Sequence, residues 1–157
     1  MEIIRKASIN DLDGINNLLY QVHDIHYKIR PDLFKHGSKK YNDDEIIKII
    51  KDETRPIFVY VIDDKIIGYA FCIMIDNTND PNLNDFVTLY IDDLCVDEKY
   101  RGEGIGKKLY NYVIDYAKRS GCYNETLNVW YGNDSAMAFY ESIGLNKQKI
   151  YMEKILK

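Results

Sequence analysis

The feature that most constrains this sequence is a glycine-rich turn, Arg101-Gly102-Glu103-Gly104-Ile105-Gly106, between a strand pattern and a helix pattern. Glycine lets the backbone turn sharply and lets a ligand approach it closely. The first amide N–H groups of a helix have no partners within the helix, and the helix dipole adds positive potential there. Such a turn is suited to bind phosphate, although an isolated turn of this kind is more typical of a plain connection.

Two well-known nucleotide-binding loops fit this turn poorly. A Walker loop requires Gly-Lys followed by Ser or Thr, whereas Gly106 is followed by Lys107 and Lys108. A Rossmann loop requires G-x-G-x-x-G spacing after the first strand of its βαβ unit, whereas these glycines are spaced differently and lie late in the chain. The turn therefore predicts neither of those sites.

The composition is typical of one globular domain over residues 1–157, with 46% hydrophobic and 29% charged residues. No apolar run approaches the roughly 20 residues of a membrane span, and no basic face indicates nucleic-acid binding. The first residues lack the apolar stretch of a signal peptide, and Cys72, Cys95 and Cys122 lack zinc-type spacing. We therefore expect a reduced, cytoplasmic protein without a metal site, a membrane partner or a nucleic-acid partner.

Hydrophobic periodicity and capping signals predict a mixed α/β sheet with the order β-α-α-β-β-β-α-β-α-β. The capping-box spacing of Ser8 and Asp11 starts the first helix, which should end before Pro31. Asp63-Asp64 is predicted to turn a hairpin. The remaining predicted elements are strands 2–6, 57–62, 65–75, 86–96, 126–130 and 147–154, and helices that start near Asn42, Gly104 and Asn133.

Three motifs follow one another in the second half of the chain: the segment Ile91–Tyr100, the turn Arg101-x-x-Gly104-x-Gly106, and the segment Asn133–Leu145. They resemble the fourth strand, the Q/R-x-x-G-x-G/A coenzyme A loop and the N-x-x-A-x-x-F-Y-E-x-x-G-F motif of the GNAT superfamily of N-acetyltransferases. The order of elements is also similar across nearly the whole chain. The resemblance implies a single-domain α/β fold whose mixed sheet has about six to seven strands flanked by about four helices.

The resemblance also implies where acetyl-CoA binds. Three strand residues are expected to pair through their backbone with the pantetheine arm, as an added strand would: Leu94, Cys95 and Val96. Asn133 and Ala136 are expected to line the pantetheine, and Tyr140 to lie beside the thioester sulfur. The residues expected around the pyrophosphate are Arg101, Gly102, Glu103, Gly104, Ile105, Gly106 and Lys107.

Acetyl transfer needs a neutral amine, yet a free alkylamine has a pKa of about 10 and is almost fully protonated at pH 7. A carboxylate can remove that proton directly or through water, and the candidates are Asp92 and Asp93. Adjacent strand residues face opposite ways, so at most one should face the cleft unless a bulge intervenes. Register with the polyamine acetyltransferases favours Asp92 as the catalytic base. Alternatively, both carboxylates only hydrogen-bond neighbouring loops.

Tyr140 is the candidate acid that protonates the departing thiolate, unless it is only a core aromatic on the same helix stripe as Ala136. Cys95 is expected to pack within its strand rather than act as a nucleophile. His23 and His26 have helical spacing but no third metal ligand, so we expect them to line the substrate side or to pack there.

The sequence therefore predicts an N-acetyltransferase that moves an acetyl group from acetyl-CoA directly to a primary amine. The expected acceptor is a small cationic amine such as a polyamine or diamine, bound by segments 28–41 and 76–85. The alternatives are an acetyltransferase for protein N-termini or lysines, and a non-catalytic acetyl-CoA-binding module. The resemblance also allows a homodimer.

Overall fold

The computed structural model describes residues 1–157 and contains five strands and four α-helices. Short 3-10 turns precede the first and third helices, at Ile9–Asp11 and Glu98–Tyr100. The elements in chain order are β1 (Glu2–Lys6), α1 (Leu12–Ile29), α2 (Asp43–Lys51), β2 (Ile57–Ile62), β3 (Lys65–Asp76), β4 (Val87–Val96), α3 (Ile105–Arg119), β5 (Asn124–Leu127) and α4 (Asp134–Ser142).

The start of α1 is fixed by the buried carboxylate of Asp11. Its oxygens accept hydrogen bonds from the Arg5 guanidinium at 2.7 and 3.0 Å and from the Ser8 amide at 2.7 Å. The predicted Ser8–Asp11 capping box is confirmed, although a 3-10 turn separates it from α1 proper. The helix ends at Ile29, before Pro31, as the sequence predicts.

The strands form one mixed sheet in the order β1-β2-β3-β4-β5. The first four strands run antiparallel to their neighbours, and β5 runs parallel to β4. The predicted hairpin between β2 and β3 is confirmed, and Asp63 and Asp64 adopt φ angles of 47° and 63° in its two-residue turn. Positive φ at both positions is what a tight hairpin of this twist requires, and aspartate tolerates it.

The predicted α/β class is confirmed, but the strand count of about six to seven is wrong. Residues 147–154 form no strand, because no other strand pairs with them. A segment with a strand-like sequence forms a strand only where it can hydrogen-bond to the edge of a neighbouring strand. The strand predicted at 126–130 lies instead at Asn124–Leu127, because the chain leaves β4 after Leu127.

Helices cover both faces of the sheet. One apolar cluster lies beneath α1 and α2 and includes Ile15, Leu19, Ile46, Val59 and Tyr69. A second cluster lies beneath α3 and includes Phe58, Ile67, Leu89, Leu109 and Val113. These layers hold β4 rigidly between two packed cores. None of the helices combines the length and apolar character that crossing a bilayer demands.

Candidate active site

A β-bulge in β4 shapes the candidate active site. Phe71 of β3 pairs with Asp93, whereas Cys72 pairs with Ile91, so Asp92 is an extra residue in β4. A bulge bends its strand and breaks the simple alternation of side chains between the two faces. The bulge coincides with the two aspartates that the sequence singled out.

Because of the bulge, both carboxylates lie on the face of the sheet that α1 and α2 cover. The Tyr41 hydroxyl donates a hydrogen bond to Asp92, and the Tyr69 hydroxyl donates one to Asp93 at 2.9 Å. The Phe71 ring packs against both tyrosines: its centroid lies 5.5 Å from the Tyr41 ring centroid and 4.9 Å from the Tyr69 ring centroid. Asp92 and Asp93 therefore lie in one neighbourhood instead of on opposite faces.

Asp92 is engaged by the segment that precedes α2. The Lys40 ammonium donates to its carboxylate at 2.9 Å and to its backbone carbonyl at 3.2 Å. Arg55 donates to the Tyr41 hydroxyl at 3.1 Å, which completes the group. Burial, reinforced by the Asp92 carboxylate, raises the pKa of Tyr41, so its hydroxyl remains a donor at neutral pH. The charge of Asp92 is compensated by Lys40, and the contacts attach segment 28–41 to the bulge.

Asp93 has a different environment. Its carboxylate accepts a hydrogen bond from Tyr69 and forms no ion pair. Dense protein packing around the carboxyl raises its pKa to about 6, and the Tyr69 hydrogen bond only partly opposes this effect. Solvent still reaches part of the residue. A partly accessible carboxylate with a pKa near the working pH has the properties of a general base.

A gap opens between β4 and β5 just beyond the bulge. The parallel ladder extends from Thr88 and Asn124 to Ile91 and Leu127, and no pairing follows. From Asp92 onward, β4 is paired on its β3 side only. The two strands therefore separate next to the carboxylates and leave the edge of β4 unpaired from Asp92 onward.

The register of β3 and β4 shows which backbone groups face this gap. The Asp97 amide donates to the Ile67 carbonyl at 2.8 Å, so the backbone of Asp97 points towards β3. Along an antiparallel ladder, every second residue points its N–H and C=O groups to the same side. The backbone of Cys95 is therefore directed towards β3, and those of Leu94 and Val96 point towards the gap. In agreement, the Arg101 side chain donates to the Val96 carbonyl at 3.2 Å.

The side chain of Cys95 lies within the core beneath α1. Only 4% of the residue is exposed, and its sulfur lies 3.6 Å from the Leu18 carbonyl oxygen. Burial raises the pKa of this thiol to about 12, so it is not a thiolate at neutral pH. The prediction that Cys95 packs within its strand is confirmed.

The glycine-rich turn is exposed, and two of its glycines adopt left-handed backbone conformations. Gly102 and Gly104 adopt φ angles of 85° and 77°, and Gly104 caps the N-terminus of α3. No atom lies within 4 Å of the position that a Cβ would take at either residue. Lys107 is exposed and forms no ion pair, whereas Lys108 contacts Glu2 at 3.1 Å. The loop therefore offers free helix-start amides and one free cation to a phosphate.

Gly106 connects this loop with α4. A Cβ at Gly106 would lie 3.3 Å from the Phe139 ring, so the missing side chain lets α4 approach the start of α3. Asn133 caps α4, and its side-chain oxygen accepts from the Ala136 amide at 3.3 Å. The helix motif of the sequence is thereby held beside the glycine loop.

Tyr140 lies on the face of α4 that packs against α3 and the sheet, with its ring centroid 6.3 Å from that of Tyr110. Its hydroxyl forms no hydrogen bond within the chain. Burial raises its pKa, and the nearby charges of Asp93 and Glu125 reinforce the shift. The phenol is therefore protonated at neutral pH and has a free donor.

Aromatic side chains cluster around segment 28–41, where the sequence predicts part of the acceptor site. The Phe34 ring lies 5.5 Å from His23, 5.4 Å from His26 and 5.3 Å from Trp130, measured between centroids. Burial, with Lys40 nearby, lowers the pKa of His26. Segment 28–41 is thus packed on α1 and on the chain that follows β5.

The loop 76–85 makes no side-chain hydrogen bond to the residues of this region. It joins Asp76 to Val87, which lies five residues before Asp92, or about 17 Å along an extended strand. Asp80 and Asp85 accept hydrogen bonds from backbone amides within the loop itself. The acidic residues of this loop therefore stabilise its own turns.

Comparison with known proteins agrees with this geometry. The model of the acetyltransferase (GNAT) family matches residues 19–145, which include the bulge, the glycine loop and α4. The chain belongs to this family. Glucosamine 6-phosphate N-acetyltransferase of Arabidopsis thaliana is 30% identical over 116 residues, which are 74% of this chain and 68% of that protein. An uncharacterized N-acetyltransferase of Methanocaldococcus jannaschii is 26% identical over 94% of this chain and 62% of its own length.

The fold of this GNAT protein also matches a solved structure over its full length. A crystal structure of a mutant BH1408 protein from Bacillus halodurans superposes with a TM-score of 0.93. The two chains are 35% identical, and 99% of each is covered. The family and its named N-acetyltransferases make the protein an acyltransferase, and GNAT enzymes in general use acetyl-CoA as cosubstrate. No cluster of three or more His, Cys, Asp or Glu side chains is arranged to hold a metal ion.

No local sequence pattern singles out Lys40, Tyr41 or Tyr69, which contact the two carboxylates. Tyrosine occurs 14 times in the chain, so no single tyrosine is distinctive. The one available signal was the position of Lys40 and Tyr41 in the segment expected to bind the acceptor.

We predict that Gly104→Val abolishes measurable coenzyme A binding, because a branched side chain blocks the approach of phosphate and resists a φ of 77°. Gly121→Val is the matched control, since Gly121 follows the other end of α3 with a φ of 78° and equally open surroundings. Isothermal titration calorimetry of the folded variants measures the difference. Unchanged affinity in Gly104→Val, or equal loss in both variants, contradicts the assignment.

Proposed function

We propose that the protein transfers an acetyl group from acetyl-CoA directly to the primary amine of a small cationic acceptor. The observation that supports this proposal is the β4 bulge, which puts two carboxylates beside an unpaired strand edge. The edge suits an extended amide-containing chain such as pantetheine. The carboxylates suit the activation of an amine at the end of that chain.

We assign cofactor binding to the edge, the glycine loop and the start of α4. The backbone of Leu94 and the amide of Val96 are free to hydrogen-bond the pantetheine amides, whereas the Val96 carbonyl accepts from Arg101. The amides of Arg101–Gly106 with Lys107 are free to hold the pyrophosphate. Asn133 and Ala136 lie at the start of α4, where they line the same side. When bound, acetyl-CoA supplies a thioester as the acetyl donor.

In the transfer, the amine nitrogen bonds to the thioester carbonyl carbon, the carbon–sulfur bond breaks, and the ammonium proton must leave. We assign that proton to Asp93, directly or through water, because Asp93 is partly accessible and has no cationic partner. We assign Asp92, the alternative base, to positioning, because Lys40 and Tyr41 already occupy its carboxylate. A free β4 amide at Leu94 or Val96 is suited to stabilise the oxyanion.

We assign the proton that the thiolate receives to Tyr140. Its phenol is protonated at neutral pH, because burial and nearby negative charge raise its pKa. Its hydroxyl has no competing partner within the chain. An ammonium nitrogen loses two protons when it becomes an amide. In this assignment one proton leaves through Asp93 to solvent, and the second, released after the attack, replaces the proton that Tyr140 gives to sulfur.

The charge around the site favours a cationic acceptor, although less strongly than the sequence implied. Lys40 compensates Asp92, so Asp93 is the carboxylate left to attract an ammonium group. The A. thaliana relative carries the name of an enzyme that acetylates glucosamine 6-phosphate, an amino sugar, which agrees with a small amine. Protein N-termini and lysines remain the alternative acceptors to be tested.

A panel of acceptors tests this function. We expect thiol release from acetyl-CoA to be fastest with diamines or polyamines, and kcat/KM to fall as salt screens the attraction. Neutral amines, amino sugars and peptides with free N-termini serve as comparison substrates. Faster turnover of neutral, anionic or peptide amines contradicts the cationic acceptor. No thiol release with any amine contradicts the enzyme and favours a binding module.

We predict that Asp93→Asn lowers kcat by about 10²-fold or more and removes the acid limb of its pH profile. The parent kcat should rise with pH up to about 6 and then level off, because Asp93 acts in its charged form. Asp92→Asn is the control: it should raise the acceptor KM by loosening Lys40 and Tyr41, yet retain the acid limb. The reverse pattern assigns the base to Asp92.

We predict that Tyr140→Phe lowers kcat by about 10²-fold or more and leaves coenzyme A affinity nearly unchanged, because the hydroxyl acts as charge develops on sulfur. Tyr110→Phe is the matched control, since its hydroxyl donates to Glu125 at 2.7 Å instead. Single-turnover rates with the best acceptor measure the chemical step. A Tyr140→Phe variant that turns over like the parent between pH 6 and 9 makes Tyr140 a core aromatic only.

A further inference from the structure

Lys40 brings a primary amine into the candidate active site from within the chain itself. Its ammonium donates to the Asp92 carboxylate at 2.9 Å and to the Asp92 backbone carbonyl at 3.2 Å. Asp92 is the extra residue of the β4 bulge, and its side chain is 10% exposed, whereas that of Lys40 is 43% exposed. The amine is thus held against the bulge while its side chain remains partly open to solvent.

The bulge is also the place to which the proposed function brings the acetyl group. From Asp92 onward, the β5 side of β4 is unpaired. Leu94, whose free amide is suited to hold the oxyanion, follows Asp92 by two residues, or about 7 Å along a strand. A lysine ammonium ends a flexible four-carbon stem, so rotation about its bonds can carry the nitrogen over this distance.

The neighbouring lysine shows that this placement belongs to Lys40 in particular. The Lys39 ammonium contacts Asn16 of α1 and Asp43 of α2, at 2.6 Å each. The other lysines that form ion pairs also bond to carboxylates outside β4. Lys40 is therefore the ion-paired lysine whose amine lies at the strand that we assign to the donor.

We infer that the protein acetylates its own Lys40, within the same chain, an inference that rests on the proposed function of the site. The Lys40 nitrogen bonds to the thioester carbonyl carbon and the carbon–sulfur bond breaks, which leaves Nε-acetyl-lysine and free coenzyme A. The nitrogen loses two protons. One passes to the Asp92 carboxylate that it already contacts and then to solvent, and the second replaces the proton that Tyr140 gives to sulfur.

Self-acetylation changes the charge of the acceptor site. Acetyl-lysine is neutral, so the cation that compensates Asp92 is lost, while Tyr41 still donates to that carboxylate. Asp92 and Asp93 are then both without a contacting cation. The modified site attracts a cationic acceptor more strongly than the unmodified one.

Mass spectrometry of the full chain, incubated with acetyl-CoA and no added amine, tests the inference. We expect one acetyl group per chain, on Lys40, at a rate that dilution of the protein does not change, because each chain modifies itself. Unfolding in urea should slow labelling of Lys40 by at least about tenfold. Lys40→Arg should lose the label, and the matched control Lys39→Arg should keep it.

Three results of this experiment overturn the inference. Equal labelling of folded and unfolded protein, or a label on other exposed lysines instead of Lys40, indicates uncatalysed chemistry. A rate that rises with protein concentration indicates transfer between copies. Parent protein that releases thiol with free amines but leaves Lys40 unmodified overturns self-acetylation alone, whereas parent protein that does neither overturns the proposed function as well.

Asp92→Asn tests the proton transfer from Lys40. This variant should slow labelling of Lys40 by about 10²-fold or more, because it removes the carboxylate that holds the amine and takes its proton. Coenzyme A binding and circular dichroism confirm that the variant is folded. A folded Asp92→Asn variant that labels Lys40 as fast as the parent contradicts the inferred step.

Discussion

The hydrogen-bond ladder on either side of β4 is the constraint on which the rest of the site depends. On the β3 side the ladder continues through the bulge, so Asp92 is the only residue displaced from the regular pairing. On the β5 side the ladder stops at Ile91 and Leu127. The unpaired edge is open to a ligand that can complete the ladder, and we propose that the glycine loop at the far end of the same strand supplies the matching anion site.

The bulge also gives the two carboxylates different environments. Asp92 has a cation and a phenol as partners, so it is suited to hold the acceptor segment in place. Asp93 has a phenol only, and the packing around it raises its pKa to about 6. Two neighbouring acids with different partners can take different roles, one structural and one in proton transfer. This division supports the assignment of the base to Asp93.

Local signals in the sequence predicted most of the fold correctly. Caps at Ser8 and Asn42, the Asp63-Asp64 turn and the glycine loop act within a few residues, so they could be read without the structure. The C-terminal segment 146–157 shows the limit of such local signals: it has the sequence pattern of a strand, but a strand also needs a neighbouring edge with which to pair. The contacts of Lys40 and Tyr69 to the aspartates depend on tertiary packing, which local patterns do not encode.

Amide hydrogen exchange in β4 tests the central claim most directly, namely that its free edge holds the pantetheine arm. The account predicts that saturating coenzyme A slows exchange at Leu94 and Val96 by at least about tenfold, because their amides gain partners. Cys95 should change little, because its backbone is directed towards β3 in the free protein. Coenzyme A that binds without slowing exchange at Leu94 and Val96 would contradict the account.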